Sequence, residues 1–431
     1  MRPMKDSGIE WIGEIPENWK ISKIKRLYLV INGSTPKSDK AGFWGGDIVW
    51  ITPSDMNENT VELITSKRMI TDEGINACGT TLVPANSIIL STRAPIGQIC
   101  LAGRELCTNQ GCKTLVIKFD SNHKYHYYYL LTQKDTLNML GRGTTFLELS
   151  TLDLANFPIP SPPLPEQTLI ASFLDKKCAA IDSAIKNQRA SIDKLKEYRQ
   201  SVITEAVTKG LNPDVPMKDS GVEWIGEIPE GWDIVPLTKQ LESIVDYRGK
   251  TPHKVDEGVF LITAKNIKSG KIDYDLSKEY VPESEYEKIM HRGKPMIGDV
   301  LFTTEAPLGE VANIDNVDIA LAQRIIKFRP INAKLSGYFL KYWIMSTYFQ
   351  NILQSLSTGS TAVGIKSSKL FMLPLTLCSL SEQTEIAAYL DEKCSAIDET
   401  VSGKEKLIEK LEEYKKSLIY EAVTGKIEVP T

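Results

Sequence analysis

The chain has 431 residues, a formal net charge of -4, and hydrophobic and charged fractions of 42% and 25%, which are ordinary for a globular protein. This length predicts more than one domain. The chain contains no apolar run of the ~18 residues that a membrane span needs, and its N-terminus has no signal-peptide core. Its seven cysteines follow no disulfide-framework spacing, so we expect a reducing, cytoplasmic location. The net charge is +1 for residues 1–160, +2 for 161–212, -2 for 213–376 and -5 for 377–431, so no segment is a basic tail and any DNA contact must use a local cationic face.

The first element along the chain is a motif that occurs twice. "MKDSGIEWIGEIPENW" (4–19) returns as "MKDSGVEWIGEIPEGW" (217–232), with fourteen of sixteen residues identical. A second motif, "LPEQTLIASFLDKKCAAID" (164–182), returns as "LSEQTEIAAYLDEKCSAID" (380–398). Internal repeats of this length indicate duplication of a whole domain with its helical extension, since a solenoid repeat is much shorter.

Residues 1–160 and 213–376 are predicted to be two mixed α/β domains. Short β-rich runs punctuated by Gly and Pro, such as "SIILSTRAPIGQICLAG" (87–103) and "DVLFTTEAPLGEVANI" (299–314), are typical of strands. An aromatic-rich stretch that we predict to be helical follows in each copy, at 123–140 and 335–353. We expect the "APIG" and "APLG" turns to be scaffold.

Residues 161–212 and 377–431 are predicted to be long helical arms. From Glu166 to Lys209 there is neither Pro nor Gly, and apolar residues recur in steps of four and three. The seam positions are Ile181, Ile185, Gln188, Ile192, Leu195, Arg199 and Val202, and in the second copy Ile397, Val401, Lys404, Ile408, Leu411, Lys415 and Leu418. Pro165 suits a first helical position, Ser381 an N-cap, and Gly210 and Gly425 helix ends.

A line of apolar residues this narrow needs a second surface that buries it from water. Each arm can pack on its own domain, or the two arms can pair with each other. The charges favour pairing, because the first arm carries +2 (8 Lys+Arg, 6 Asp+Glu) and the second -5 (7 and 12). The polar seam residues would help fix the register. We therefore predict an α+β protein with two mixed α/β domains separated by two long antiparallel helices, a coiled coil with a pseudo-twofold internal repeat.

The motifs of the common catalytic classes are missing. The sequence has no GxxxxGK[ST] phosphate loop, no GxSxG elbow, no HExxH metal helix and no Asn/Asp-Pro-Pro-aromatic methyltransferase tetrapeptide. Cys107, Cys112, His123 and His126 have no common zinc spacing, so we expect ordinary core thiols and imidazoles there. Cys178 and Cys394 occupy equivalent positions and are best explained as small apolar residues of a packed seam. We predict a chain with no catalytic activity, no metal and no cofactor of its own.

The duplicated motifs "SGIEWIGEIPENW", "SGVEWIGEIPEGW", "PLPEQTLIASFLD" and "SLSEQTEIAAYLD" resemble those of the DNA-specificity subunits of type I restriction–modification systems. The resemblance covers the whole chain. It implies that each variable segment is a target-recognition domain for one half of a bipartite DNA site. It also implies that the repeated segments hold these domains apart and dock two methyltransferase subunits. Those partners carry S-adenosylmethionine, and the restriction subunits that complete the complex use ATP and Mg.

The resemblance also sorts the residues. A base-reading residue should lie where the two halves differ, and a residue that docks a common partner should lie where they agree. Arg is the usual bidentate partner of guanine, whereas Lys, Ser and Thr more often hold phosphates. Candidate DNA contacts in divergent loops are Lys37, Arg93, Lys113, Arg142, Thr144 and Thr145 in the first domain, and Arg248, Lys250, Lys265, Arg324, Ser360, Thr361 and Lys366 in the second.

Candidate partner contacts are the repeated tryptophans and the repeated Glu-Gln pair: Trp11, Trp19, Trp224, Trp232, Glu166, Gln167, Glu382 and Gln383. For the tryptophans two roles stay open. They can pin the N-terminal segment of each copy to its domain or arm, or they can form part of the methyltransferase-docking surface.

Two other functions fit the same sequence. One is the specificity subunit of another multi-subunit restriction system, in which the modification partner also cleaves; a separate helicase-nuclease gene nearby would favour type I. The other is a stand-alone coiled-coil protein that binds DNA or serves as a scaffold. Tight binding of the purified chain to a defined site without a methyltransferase would favour that function.

Overall fold

The structure is a computed structural model that describes residues 2–57, 60–143, 147–247, 252–357, 364–365 and 367–430. The chain divides into two compact units. The first unit contains Met1–Asn187 and Lys406–Thr431, and the second contains Gln188–Glu405. The boundary between the units falls within each long helix, so each helix contributes one part to each unit. The predicted division into four segments stays a prediction.

The first unit contains a main sheet of five strands and a small sheet of three. The main sheet has the order Tyr28–Asn32, Cys112–Ile117, Ile88–Ser91, Ile99–Ala102 and Glu62–Leu63, and only the last pair is parallel. In the small sheet the central strand Trp44–Ile51 lies between Cys107–Thr108 (parallel) and Met69–Ile70 (antiparallel). Two-stranded ribbons pair Met4–Asp6 with Glu14–Pro16 and Lys20–Lys23 with Pro158–Ser161.

Among the described residues, the second unit repeats this topology with four strands instead of five in the main sheet and three two-stranded ribbons instead of two. Its main sheet has the order Leu241–Asp246, Ile325–Pro330, Val300–Thr304 and Leu308–Asn313, all antiparallel. The small sheet again has a central strand, Val259–Ile262, between Ile319–Leu321 (parallel) and Tyr280–Val281 (antiparallel). The ribbons are Met217–Asp219 with Glu227–Pro229, Asp233–Pro236 with Pro374–Leu377, and Ile267–Lys268 with Lys271–Ile272. The duplication inferred from the sequence is thus a duplication of fold.

Continuous apolar runs form the buried central strands, as expected for strands covered on both faces. Every residue of Ile88–Ser91, Ile99–Ala102 and Val300–Thr304 is buried. Two short helices follow each main sheet: His123–Leu131 and Lys134–Met139 in the first unit, Gly337–Met345 and Thr347–Leu356 in the second. The prediction of helix at 123–140 and 335–353 is therefore confirmed, with a break that the periodicity did not reveal.

The remaining elements are short helices of three to six residues. The α-helical ones are Ile24–Leu27, Asp72–Asn76, Thr151–Asn156 and Tyr286–Ile289. The 3-10 turns are Ala41–Phe43, Pro53–Asp55, Leu237–Gln240, Ala264–Asn266, Glu283–Glu285 and Ser367–Met372.

The predicted arms are the helices Leu164–Lys209 and Leu380–Thr424, of 46 and 45 residues. Gly210 and Gly425 follow them with φ of 75° and 74°, a left-handed backbone that glycine adopts without penalty, so both predicted ends are confirmed. The prediction of Ser381 as N-cap is wrong, because the helix already begins at Leu380. The hydroxyl of Ser379 accepts the Glu382 N–H at 3.3 Å instead. Pro165 is the second residue of its helix, where a missing N–H is still harmless.

The arms pair with each other in each unit. In the second unit Lys404 Nζ donates to Gln188 Oε1 at 2.9 Å, and Arg199 Nε lies 3.2 Å from Asp398 Oδ1. Residue numbers rise on one helix as they fall on the other, so the pairing is antiparallel, as predicted. In the first unit Lys415 Nζ lies 2.6 Å from Asp182 Oδ1.

These contacts follow the internal repeat. Asp182 and Asp398 are sequence equivalents, as are Arg199 and Lys415, so the two ion pairs are the same contact made once in each unit. Gln188 and Lys404 are also equivalents and bond to one another. Most apolar seam residues are buried, namely Ile181, Ile185, Ile192, Val202, Ile397, Ile408 and Leu418, whereas Leu195, Val401 and Leu411 are half-buried.

No helix in the described part of the chain is long and apolar enough to cross a membrane. All seven cysteines are free thiols; Cys178 and Cys394 are buried, which agrees with their predicted role as small seam residues.

Candidate functional site

A proline turn follows the core strand Ile88–Ser91 in the first unit and Val300–Thr304 in the second, and it positions the first group of predicted DNA contacts. In the first unit Arg93, just before the cis Ala94–Pro95 bond, forms a backbone bridge with Glu148, and its Nε lies 3.1 Å from Glu148 Oε2. Both side chains remain nearly half exposed, at 46% and 41%. This ion pair therefore sits where a ligand can compete for it.

Two further predicted contacts lie around the same carboxylate. Lys113 is only 4% exposed, and its Nζ lies 3.8 Å from Glu148 Oε1. Burial lowers the pKa of Lys113, and neighbouring Glu148 opposes that shift. Arg142 bridges to the Glu148 backbone while its Nη2 lies 3.1 Å from Asp153 Oδ1. The fold thus brings Arg93, Lys113 and Arg142 together, with Lys113 beneath the surface.

The second unit places the opposite charge at the equivalent turn. Glu305 occupies the position of Arg93, and its Oε1 lies 3.1 Å from Arg324 Nε. Glu305 also bridges to Gly364, as Arg93 bridges to Glu148. The two units therefore share the backbone geometry of this turn but reverse the sign of the side chain that it carries.

The other predicted contacts are spread more widely. Lys37 is exposed, and its carbonyl accepts the Trp44 indole N–H at 3.3 Å. Lys265 is exposed on the 3-10 turn Ala264–Asn266. Seven candidates lie outside the described residues: Thr144, Thr145, Arg248, Lys250, Ser360, Thr361 and Lys366.

The repeated tryptophans fall into two classes. Trp19 and Trp232 are buried, at 0% and 2% exposure, and their indole N–H groups donate to Glu166 at 2.9 Å and to Glu382 at 3.1 Å. These contacts pin each N-terminal motif to the start of the long helix of its own copy. Trp11 and Trp224 remain 39% and 48% exposed.

The repeated glutamines are also internal. Gln167 Oε1 accepts the Asn122 N–H at 2.9 Å, and its Nε2 donates to the Pro162 carbonyl at 2.8 Å. In the second unit Gln383 accepts the Ser336 N–H at 2.8 Å and donates to the Cys378 carbonyl at 2.9 Å. Each glutamine therefore links the start of its long helix to the residue that precedes the first of the two short helices, His123–Leu131 or Gly337–Met345.

The structure does not bring Cys107, Cys112, His123 and His126 together as a metal-binding cluster. His126 Nδ1 lies 2.7 Å from the Tyr28 hydroxyl, and burial lowers the pKa of His126 to about 3. Burial raises the pKa of Cys107 and of Cys112 to about 12. Within the described ranges no group of three or more His, Cys, Asp and Glu side chains is placed to hold a metal ion.

Comparison with known proteins agrees with this duplicated arrangement. The family model described as "Type I restriction modification DNA specificity domain" matches twice, over residues 16–192 and 238–413. The chain belongs to this family.

Several named members of the family are similar to the chain. The MjaIX specificity subunit of Methanocaldococcus jannaschii is 34% identical over 52% of this chain and 52% of that protein, so this match spans about half of its length. The MjaVIII and MjaX (putative) specificity subunits of the same organism are 25% and 27% identical. Those two matches cover 96% and 97% of this chain and 94% and 96% of the relatives.

Solved structures share the fold at low sequence identity. A chain from a study of complex assembly and conformational transition of the type I R-M system matches with a TM-score of 0.73 and 16% identity, over 96% of this chain and 99% of that one. The HsdS subunit of Thermoanaerobacter tengcongensis matches with a TM-score of 0.55 and 16% identity, over 96% and 98%.

One contact that occurs in both units was not predicted from the sequence. Tyr128 donates to Asp175 Oδ1 at 2.8 Å, and its structural equivalent Tyr342 donates to Asp391 Oδ1 at 2.6 Å. The aspartates lie in the repeated "LDKKC" and "LDEKC", so their equivalence could have been found in the sequence, whereas the tyrosine partners could not.

Proposed function

We propose that the chain is the non-catalytic specificity subunit of a type I restriction–modification complex, with one target-recognition domain for each half of a bipartite double-stranded DNA site. One observation carries this proposal: the two units share topology and internal anchors, while equivalent positions carry opposite charges, exposed Arg93 in one and half-buried Glu305 in the other. A shared fold allows both domains to join one common assembly, and different surface charges suit the recognition of two different half-sites.

Arg93, Arg142 and Arg324 are proposed to contact DNA by exchanging a carboxylate partner for a phosphate or a base edge. Exposed ion pairs contribute only about 0–1 kcal/mol, so the exchange costs little. Exposed Lys37 and Lys265 suit phosphate contacts, which fix the protein on the duplex without reading sequence. We propose an indirect role for Lys113, because its buried side chain forms an ion pair with Glu148, the carboxylate that also pairs with Arg93. Thr144, Thr145, Arg248, Lys250, Ser360, Thr361 and Lys366 complete the proposed interface.

The paired helices are proposed to set the spacing between the half-sites and to dock two methyltransferase subunits. Support comes from their length, their antiparallel pairing in each unit and the matching ion pairs Asp182–Lys415 and Asp398–Arg199. A continuous helix transmits a fixed length of about 1.5 Å per residue. Restriction subunits would join the same complex.

Trp11 and Trp224 are proposed as direct docking residues, and Trp19, Trp232, Glu166, Gln167, Glu382 and Gln383 as the anchors that hold the docking segment in place. Exposed aromatic side chains are typical interface anchors. We expect the double variant Trp11→Ala/Trp224→Ala to fold normally but to assemble at least about tenfold more weakly with methyltransferase subunits. Titration with labelled partner measures this.

The matched control is Tyr338→Ala, since Tyr338 is 44% exposed but has no repeated counterpart. Normal assembly of the tryptophan variant, combined with methylation of a new sequence, would contradict docking by these side chains.

Catalysis is proposed to reside in the partners. The purified chain should show no methyl transfer from S-adenosylmethionine, no ATP hydrolysis and no DNA cleavage, and methylation should appear on adding methyltransferase subunits. Radiolabelled methyl transfer to plasmid DNA measures both states. Robust transfer by the chain alone would overturn the proposal.

A further inference from the structure

The small sheet of the first unit carries an exposed arginine whose side chain stacks on a tryptophan ring. Arg68 is exposed and immediately precedes the strand Met69–Ile70. Its guanidinium carbon lies 3.5 Å from the centre of the Trp44 ring and 6.0 Å from that of Trp50. Stacking on an indole face fixes the plane of a guanidinium while leaving its N–H edges available for hydrogen bonds.

The platform beneath Arg68 is itself anchored. Trp50 is buried at 3% exposure, and its indole N–H donates to the Ser34 carbonyl at 2.9 Å. Trp44 packs edge-on against Trp50, with ring centres 5.1 Å apart, and donates to the Lys37 carbonyl. The two tryptophans that support Arg68 are therefore hydrogen-bonded to the loop that carries Lys37, which is a proposed phosphate contact.

The second unit has a different residue at this position. Strand register aligns Met69, opposite Val49, with Tyr280, opposite Phe260, so Arg68 is equivalent to Glu279. Glu279 Oε2 lies 2.6 Å from Lys254 Nζ, and Leu261 stands where the first unit has Trp50. Both the charge and its aromatic support differ between two otherwise matching sheets.

We propose that Arg68 is a base-reading residue of the first recognition domain, that it hydrogen-bonds a guanine of the first half-site, and that Trp44 is its positioning residue. This inference rests on the proposed function. A flexible lysine suffices for a phosphate, whereas a planar fork held in one orientation matches the O6 and N7 acceptors of guanine. Because stacking on Trp44 already restricts the Arg68 side chain, DNA binding costs little further side-chain entropy.

The test uses the full chain assembled with its methyltransferase subunits, and measures binding to a set of duplexes in which each base pair of the cognate site is changed in turn. Arg68→Lys retains the charge but loses the planar fork. Discrimination at one G·C pair of the first half-site should fall about tenfold, while that at the second half-site stays unchanged. Trp44→Leu should reduce discrimination at the same G·C pair by a smaller factor, because Arg68 keeps its planar guanidinium group but loses the ring that orients it.

Arg26→Lys is the matched control, since Arg26 is an exposed arginine of the same domain on the helix Ile24–Leu27, and it should change nothing. An unchanged profile for Arg68→Lys, or an equal loss at every position, would overturn the assignment. The wild-type assembly separates this failure from that of the proposed function: if it shows no bipartite preference at all, the function itself is wrong.

Discussion

Replacing residues 20–161 by the corresponding segment of another family member is expected to change one half of the recognised DNA site and to leave the other half intact. The segment contains both sheets of the first domain, with Arg68, Arg93 and Arg142. It excludes Trp19, Glu166 and Gln167, which anchor the domain to its long helix. Lys20 and Ser161 are cross-strand neighbours, so both cuts fall at one end of a single ribbon.

The matched exchange takes residues 233–377, because Asp233 and Leu377 are the equivalent neighbours in the second unit. It should change only the other half. Mapping methylated adenines in cells that carry each hybrid with its partner subunits measures both results. A hybrid that alters both halves of the motif would show that the domains do not read DNA independently.

Removing one carboxylate from the core of the second unit is expected to have the largest effect on stability. Asp299 is 3% exposed; its Oδ2 lies 3.2 Å from Lys327 Nζ and 2.7 Å from Arg329 Nη2. The Lys327 side chain is fully buried. Asp299→Ala would leave that ammonium without its counter-charge, which typically costs about 3–5 kcal/mol of unfolding free energy.

The control is Asp233→Ala, because Asp233 is 78% exposed and its pair with Lys218 is 3.8 Å long, so the loss should stay below about 1 kcal/mol. Urea unfolding of both variants measures the difference. The double variant Asp299→Ala/Lys327→Met should recover most of the loss, since no buried ammonium remains. Equal destabilisation of the single and double variants would mean that packing, not charge, sets the cost.

This loss should also depend on pH. Burial lowers the pKa of Lys327, so the folded state binds fewer protons than the unfolded state between the two pKa values. Asp299 opposes that shift, so Asp299→Ala lowers the pKa of Lys327 further and widens this pH window. Because stability rises with pH within the window, it rises more for the variant than for the wild type, and the penalty of Asp299→Ala should shrink as the pH is raised from neutral towards the pKa of lysine in the unfolded state.

The long helices and the duplication were predictable because both depend on local sequence. The heptad steps from Ile181 to Val202 need only neighbours three and four residues apart, and Gly210 and Gly425 end helices through their own backbone freedom. The repeat offset also identified equivalent positions, so Asp182 and Asp398 could be matched before their partners were known. One local prediction failed, since Ser379 and Ser381 are both plausible caps and only the backbone distinguishes them.

The surface chemistry of the domains was less predictable, because it depends on strand register. Trp44 and Arg68 are adjacent only because Trp44–Ile51 pairs with Met69–Ile70, a long-range register that local sequence does not specify. Burial was equally hidden: Trp11 and Trp19 look alike in the motif, yet one is 39% exposed and the other fully buried. The sequence suggests that Lys113 is a surface cation, but the residue is only 4% exposed in the structure.

The most direct test of the central claim is a map of methylated adenines across the genome of a host that carries this chain with its methyltransferase partners, compared with the same host without the chain. We expect an asymmetric bipartite motif with a spacer of constant length, methylated only when the chain is present. Methylation that persists at the same motif without the chain, or that follows one continuous motif, would contradict it.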